Sequence, residues 1–138
     1  MNKKVIAICL FVVLCFVFTA CSSSSEPEDY DYQKAQVILY DNGSMGNMWK
    51  YDRDESLDIV SETGGYEEGV DGGGGYIIFT ITPTKNGKFP IHFYWEHVDG
   101  NIEATADYTM CVEEGIITAQ DFSYDGDYPL KEMYRVVK

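Results

Sequence analysis

Basic residues are scarce in this chain: 10 Lys and Arg stand against 23 Asp and Glu over 138 residues, a formal charge of -13. A nucleic-acid partner is thereby disfavoured, because neutralising a phosphate backbone takes clustered Lys and Arg. Four prolines and 13 glycines are too few for a collagen-like chain, while 45% hydrophobic residues are too many for a disordered acidic one. Disulfides are lacking too. Three of the four cysteines, Cys9, Cys15 and Cys21, fall in the first 21 residues, so Cys111 stands alone downstream and the fold must be held by a packed core. No helical period longer than a turn runs through residues 34–138.

What the amino end does contain is a basic start, Met1 to Lys4, and then fourteen residues, Val5 to Phe18, with no polar side chain other than thiols. That length suits the apolar region of a signal peptide, since a bilayer span takes ~20 residues. Phe18-Thr19-Ala20-Cys21 resembles the lipobox of bacterial lipoproteins, which implies cleavage before a lipid-bearing Cys21, although Phe18 replaces the usual aliphatic residue. An ordinary secretory signal cut nearby, or an uncleaved anchor, are the alternatives. Ser22 to Ser25 and the acidic Glu26-Pro27-Glu28-Asp29 read as a solvated tether. The expected organisation is a lipoprotein signal peptide over 1–20, a lipid-anchored acidic tether over 21–33 and one domain over 34–138. Removing residues 1–20 takes away Lys3 and Lys4, leaving 23 acids, 8 bases and a charge of -15. The expected place is the bacterial cell envelope, at the outer membrane, facing the periplasm or the exterior.

The rest reads as β-structure. Gln36 to Tyr40, Ser56 to Ser61, Tyr76 to Thr82, Lys88 to Glu96, Ala104 to Val112, Ile116-Ile117 and Met133 to Val137 are candidate strands. In the clearest, Phe89, Ile91, Phe93 and Trp95 share one face, and Pro90, His92, Tyr94 and Glu96 the other. Pro90 argues for an edge position or a bulge. Turn signals separate the runs, among them Asp41-Asn42-Gly43, Asp71 to Gly75, Lys85-Asn86-Gly87, Asp99-Gly100-Asn101 and Asp125-Gly126-Asp127. Short strands at this spacing predict an antiparallel β-sandwich of seven or eight strands, with Tyr124 to Pro129 a loop before the last.

Catalytic and metal-binding constellations are hard to find. Asp52 to Asp58 starts like a calcium loop but has Leu57 where a sharp turn is needed and Thr63 where a bidentate acid belongs. His92 and His97 lie an odd number of residues apart, on opposite faces of a strand, which makes a poor metal site. No metal or other cofactor is expected. No nucleophile sits in a recognisable elbow, Cys111 has no basic neighbour in sequence and reads as a packing residue, and the chain is not expected to be an enzyme. Asp71-Gly72-Gly73-Gly74-Gly75 precedes a strand instead of opening a helix, so it is no phosphate cradle; its bare backbone instead permits close approach to another protein.

Two of these glycine-bearing segments carry a resemblance. Asn42-Gly43-Ser44-Met45-Gly46-Asn47-Met48-Trp49 resembles the first binding loop of the chagasin family of cysteine-peptidase inhibitors, Asn-Pro-Thr-Thr-Gly-aromatic with Trp two residues on. Asn42, Gly46 and Trp49 match, Ser44 stands in for Thr, and Gly43, Met45 and Asn47 depart. Gly72, Gly74, Gly75 and Phe79 match the second loop, Gly-x-Gly-Gly with Phe four residues later, and a hairpin turn at Gly87 falls in the expected place. The third loop, Tyr-x-Arg-Pro-Trp in the family, is Trp95-Glu96-His97-Val98-Asp99 here and keeps only one aromatic. The resemblance covers Gln36 to Val112; the first family strand lacks a counterpart and Glu113 to Lys138 are extra.

The resemblance implies an immunoglobulin-like sandwich whose loops at one end block the cleft of a papain-like or streptopain-like cysteine peptidase. The implied contacts are Asn42, Gly43, Ser44, Met45, Gly46, Gly72, Gly73, Gly74, Gly75, Trp95 and His97. Two other readings stay open to these residues: a surface lipoprotein domain that binds glycan or host protein through aromatics such as Tyr94, Tyr124 and Tyr128, and an enzyme of unrecognised type.

Overall fold

The computed structural model describes residues 29–65 and 74–138. Eight strands run in chain order: β1 (Lys34–Asp41), β2 (Asn47–Asp52), β3 (Leu57–Gly64), β4 (Gly75–Pro83), β5 (Gly87–His97), β6 (Ile102–Glu113), β7 (Ile116–Asp125) and β8 (Tyr134–Val137). They form two four-stranded sheets, β3-β4-β1-β8 and β2-β5-β6-β7, with every pairing antiparallel. The molecule is an all-β sandwich.

Period-two alternation builds both inner faces. Ala35, Val37 and Leu39 of β1, Leu57 of β3, and Phe79 and Ile81 of β4 meet Phe89, Ile91, Phe93 and Trp95 of β5 and Ala106, Tyr108, Met110 and Val112 of β6 in one buried cluster. Phe79 and Phe93 touch across the two sheets with ring centroids 5.0 Å apart. Burying one such side chain contributes about 1.5–3 kcal/mol, and with no disulfide among the described residues this cluster carries the fold.

In an immunoglobulin-like sandwich, the expected arrangement, the first strand borders the second. Here that bordering place, beside β1, is taken by the C-terminal β8. The residues beyond Glu113 thus complete one sheet with β8 and extend the other with β7. Tyr134 closes the seam between them, stacking on Phe122 at 5.2 Å.

Four local readings of the sequence change, the first being the Tyr124–Pro129 loop, whose Tyr124 and Asp125 belong to β7. Asn47–Asp52, taken as loop as far as Trp49, is strand β2. Pro90 lies in a strand with neighbours on both sides and pairs with Thr109 of β6, but β2 ends opposite His92, so β5 has a local edge at Pro90 on the β2 side. The irregularity in β5–β6 pairing falls instead at Trp95/Glu96. The tether is shorter than expected: Tyr32 packs on the core, and the Gln33 amide donates to the Gly115 carbonyl at 2.8 Å. Residues 1–28, which hold the expected signal peptide and Cys21, lie outside the described part.

Candidate functional site

The registers assign the described connections to two poles. β1 ends at Asp41 opposite the start of β4 at Gly75, β3 ends at Gly64 opposite Tyr76, and β2 starts at Asn47 opposite His97 at the end of β5. The β1–β2 connection, the end of β3, the start of β4 and the β5–β6 turn therefore share one pole. The segment after β7 joins them there, with Tyr128 stacked on Tyr40 at 4.4 Å. The β2–β3, β4–β5 and β6–β7 connections lie at the other pole, where Asn86 accepts from the Gly115 amide and Ser56 from the Thr84 amide.

Each part of the first pole has a local cause. Asp41 leaves β1 into a single 3-10 turn, Gly43–Met45, closed by the Met45 amide donating to the Asn42 carbonyl at 3.0 Å. Gly46 then takes φ +76°, a left-handed conformation open to glycine at little cost, and turns the chain into β2. A side chain at Gly46 would lie 3.7 Å from Val98 and 3.8 Å from the His97 imidazole, so the two loops are in contact. The β5–β6 turn is fixed by Asp99, whose carboxylate accepts from the Asn101 amide at 3.0 Å and the Asn101 side chain at 2.8 Å, and lies 2.9 Å from His97 Nδ1. These contacts, the Asn101 amide first and His97 next, hold the Asp99 carboxyl below its ordinary value.

Behind the loops stands an aromatic wall. Trp49 stacks on Trp95 at 6.1 Å, and Trp95 meets Tyr40 edge-on at 5.9 Å. Tyr40 in turn covers Gly74, where a Cβ would come within 2.4 Å of the ring. Asn47 is buried beside them and donates through Nδ2 to Glu103 at 2.6 Å.

The expected contact residues separate accordingly. Asn42, Gly43, Ser44, Met45 and Gly46 form the β1–β2 connection, Gly74 and Gly75 the entry to β4, and His97 the end of β5, all at one pole. Trp95 is corrected from contact to support: it is 2% exposed and braces the loops from within. Gly75 is buried as well. Gly72 and Gly73 lie outside the described residues. Exposed apolar residues at this pole to which sequence reasoning gave no role include Met48, Val98 and Ile102, whose positions become significant only through cross-strand register.

The remaining candidates part company with the pole. His92 stands on the outer face of β5, 2.6 Å from Asp107, separate from His97 and its own carboxylate. Cys111 is half-buried on β6, and its cross-strand partner is Lys88, a basic neighbour that sequence adjacency does not reveal. Asp54 closes a tight turn by accepting from the Ser56 amide at 2.8 Å, while Arg53 donates to the Leu57 carbonyl. Ser56 hydrogen bonds hold the Asp54 carboxyl below its ordinary value. Among the described residues, no three of His, Cys, Asp and Glu stand together as a metal site. No protein-family model matches the chain, and neither a curated protein nor a solved structure matches it.

Proposed function

We propose that the protein is a lipid-anchored inhibitor of papain-like cysteine peptidases, held by Cys21 at the bacterial cell envelope and blocking the active-site cleft with the loops of one pole. The observation that carries this reading is the meeting of the β1–β2 and β5–β6 connections beside the entry to β4, on a rigid aromatic base. Loops fixed in this way enter a groove with little loss of order, and they block it by shape without offering an extended strand to cleave. The chain reaches β1 at the opposite pole, where Gln33 is bound to Gly115, so an anchor ahead of Asp29 leaves the loops facing away from the membrane. An acidic surface steers the domain toward a basic target, and association slows as salt rises.

The test is titration of papain-like and streptopain-like peptidases with soluble protein beginning at Asp29. Competitive inhibition at or below micromolar protein is expected; none against either class overturns the reading. Anchoring is tested separately: labelled fatty acid should enter the wild-type precursor and not Cys21→Ser, and label in the variant would refute lipidation at that cysteine. Tyr128, 44% exposed on top of Tyr40 at the same pole, favours glycan or host-protein binding as the second reading, and a glycan array decides it.

A further inference from the structure

Four large apolar side chains stand in solvent at one corner of the loop pole: Met45 at 39% exposure, Met48 at 65%, Val98 at 83% and Ile102 at 57%. Register makes them neighbours. Met48 of β2 pairs with Glu96 of β5, and Glu96 pairs with Ile102 of β6, so Met48 and Ile102 flank one residue on adjacent strands, roughly 10 Å apart at ordinary strand spacing. Val98 is two residues beyond Glu96 and reaches Gly46, whose chain neighbour is Met45. The strip therefore begins at the loop tips and runs onto the outer face of the β2-β5-β6 sheet.

Glu96 does not break the strip with a free charge, because its carboxylate is 3.0 Å from Lys50 Nζ. The acids at the margin are Glu103, engaged with Asn47, and Asp99, which closes the β5–β6 turn. Isolated apolar residues on a surface need no explanation, but a contiguous strip rimmed by charge marks an interaction site. Its continuity with the Gly43–Met45 turn and its acidic margin limit what covers it.

We infer that this strip is a second contact on the target peptidase, outside the cleft, fitting an apolar surface bordered by Lys or Arg. The inference rests on the inhibitor reading above and adds a contact that the three-loop resemblance does not include. It also supplies contact area where the third loop lacks the family's Arg, Pro and Trp, through Val98 and the residues behind it.

The experiment is the inhibition constant of Met48→Lys/Ile102→Lys against a peptidase that the wild-type domain inhibits, alongside Met48→Leu/Ile102→Val. Both substituted positions face solvent, so both variants should melt with the wild type. Ten- to hundredfold weaker inhibition by the Lys pair, still complete at high protein, and unchanged inhibition by the conservative pair are expected. Equal inhibition by the Lys pair overturns the second contact while leaving the cleft reading intact. Wild-type protein that inhibits no peptidase overturns both. A wild-type dimer in sedimentation that the Lys pair dissolves, with inhibition unchanged, assigns the strip to a second copy of this chain and overturns the inference.

Discussion

The indole nitrogen of Trp49 donates to the backbone carbonyl of Tyr40 at 2.8 Å, joining β2 of one sheet to β1 of the other. This bond spans the two ends of the Asn42–Gly46 connection, so the residue that the sequence marks as a binding-motif tryptophan serves as its clamp. Trp49 is 6% exposed. Trp49→Phe keeps the ring stack on Trp95 but leaves the carbonyl without its donor, a loss of about 1–3 kcal/mol. Urea denaturation should show that loss, and inhibition should weaken with it because the turn is no longer held.

Glycines at the loop pole differ as probes of the interface. Gly43 has open space around its Cβ position and no positive φ, so Gly43→Trp should fold and melt like wild type. If the turn enters a cleft, that variant inhibits at least about tenfold more weakly, a central contact being worth ~2 kcal/mol; equal inhibition removes the turn from the interface.

Gly74 is the opposite case, since any Cβ there collides with the Tyr40 ring. Gly74→Ala must push Tyr40 off Trp95 and Tyr128, at about 1–3 kcal/mol, and a thermal melt should report it. Gly46 is unsuited to a bulky probe for another reason, its left-handed backbone.

The parts of the fold that the sequence discloses are those where alternation is two-sided. Lys88 to Glu96 and Ala104 to Val112 announce their inner faces because every second residue is apolar. β2 hides because Asn47 points inward and Met48 outward, reversing the hydropathy at its first two positions. Pro90 marks an edge that is only local, because the length of a neighbouring strand, a non-local property, decides where β5 loses its partner. The same holds at the site. The glycine turns are visible as residues, whereas the Met48–Glu96–Ile102 row, the Lys88–Cys111 pairing and the burial of Trp95 exist only once the strands are in register.

Tyr108 links stability to alkaline pH. It is fully buried and donates its hydroxyl to Gln120 Oε1 at 2.8 Å, and burial, with a smaller effect of Tyr134, pushes its phenol well above the ordinary 10.0. The folded state thus keeps a proton that the unfolded state releases. Stability is fully present below the unfolded value of about 10 and falls as pH rises beyond it toward the folded value. Urea midpoints measured from pH ~8 to ~11 should decline for wild type and decline less for Tyr108→Phe, which itself costs about 1 kcal/mol at neutral pH. A residual slope is expected from Tyr124, whose phenol burial also raises.

Asp99 gives the matching prediction on the acid side, at the loop that carries Val98. Its carboxyl is held below 3.8 first by the Asn101 amide, then by the hydrogen bond with His97, and least by the Asn101 side chain. A depressed folded value stabilises the turn above 3.8, and that contribution disappears as pH falls through the folded value. Carboxyl titration by NMR should therefore find the Asp99 midpoint moved upward by His97→Ala and moved less by Asn101→Ala, because the second variant keeps the amide donor. The reverse order would mean that His97 does not hold the turn. Since His97 also faces Gly46, His97→Ala should loosen both loops at once and weaken inhibition more than Asn101→Ala, with the two variants equally folded by circular dichroism.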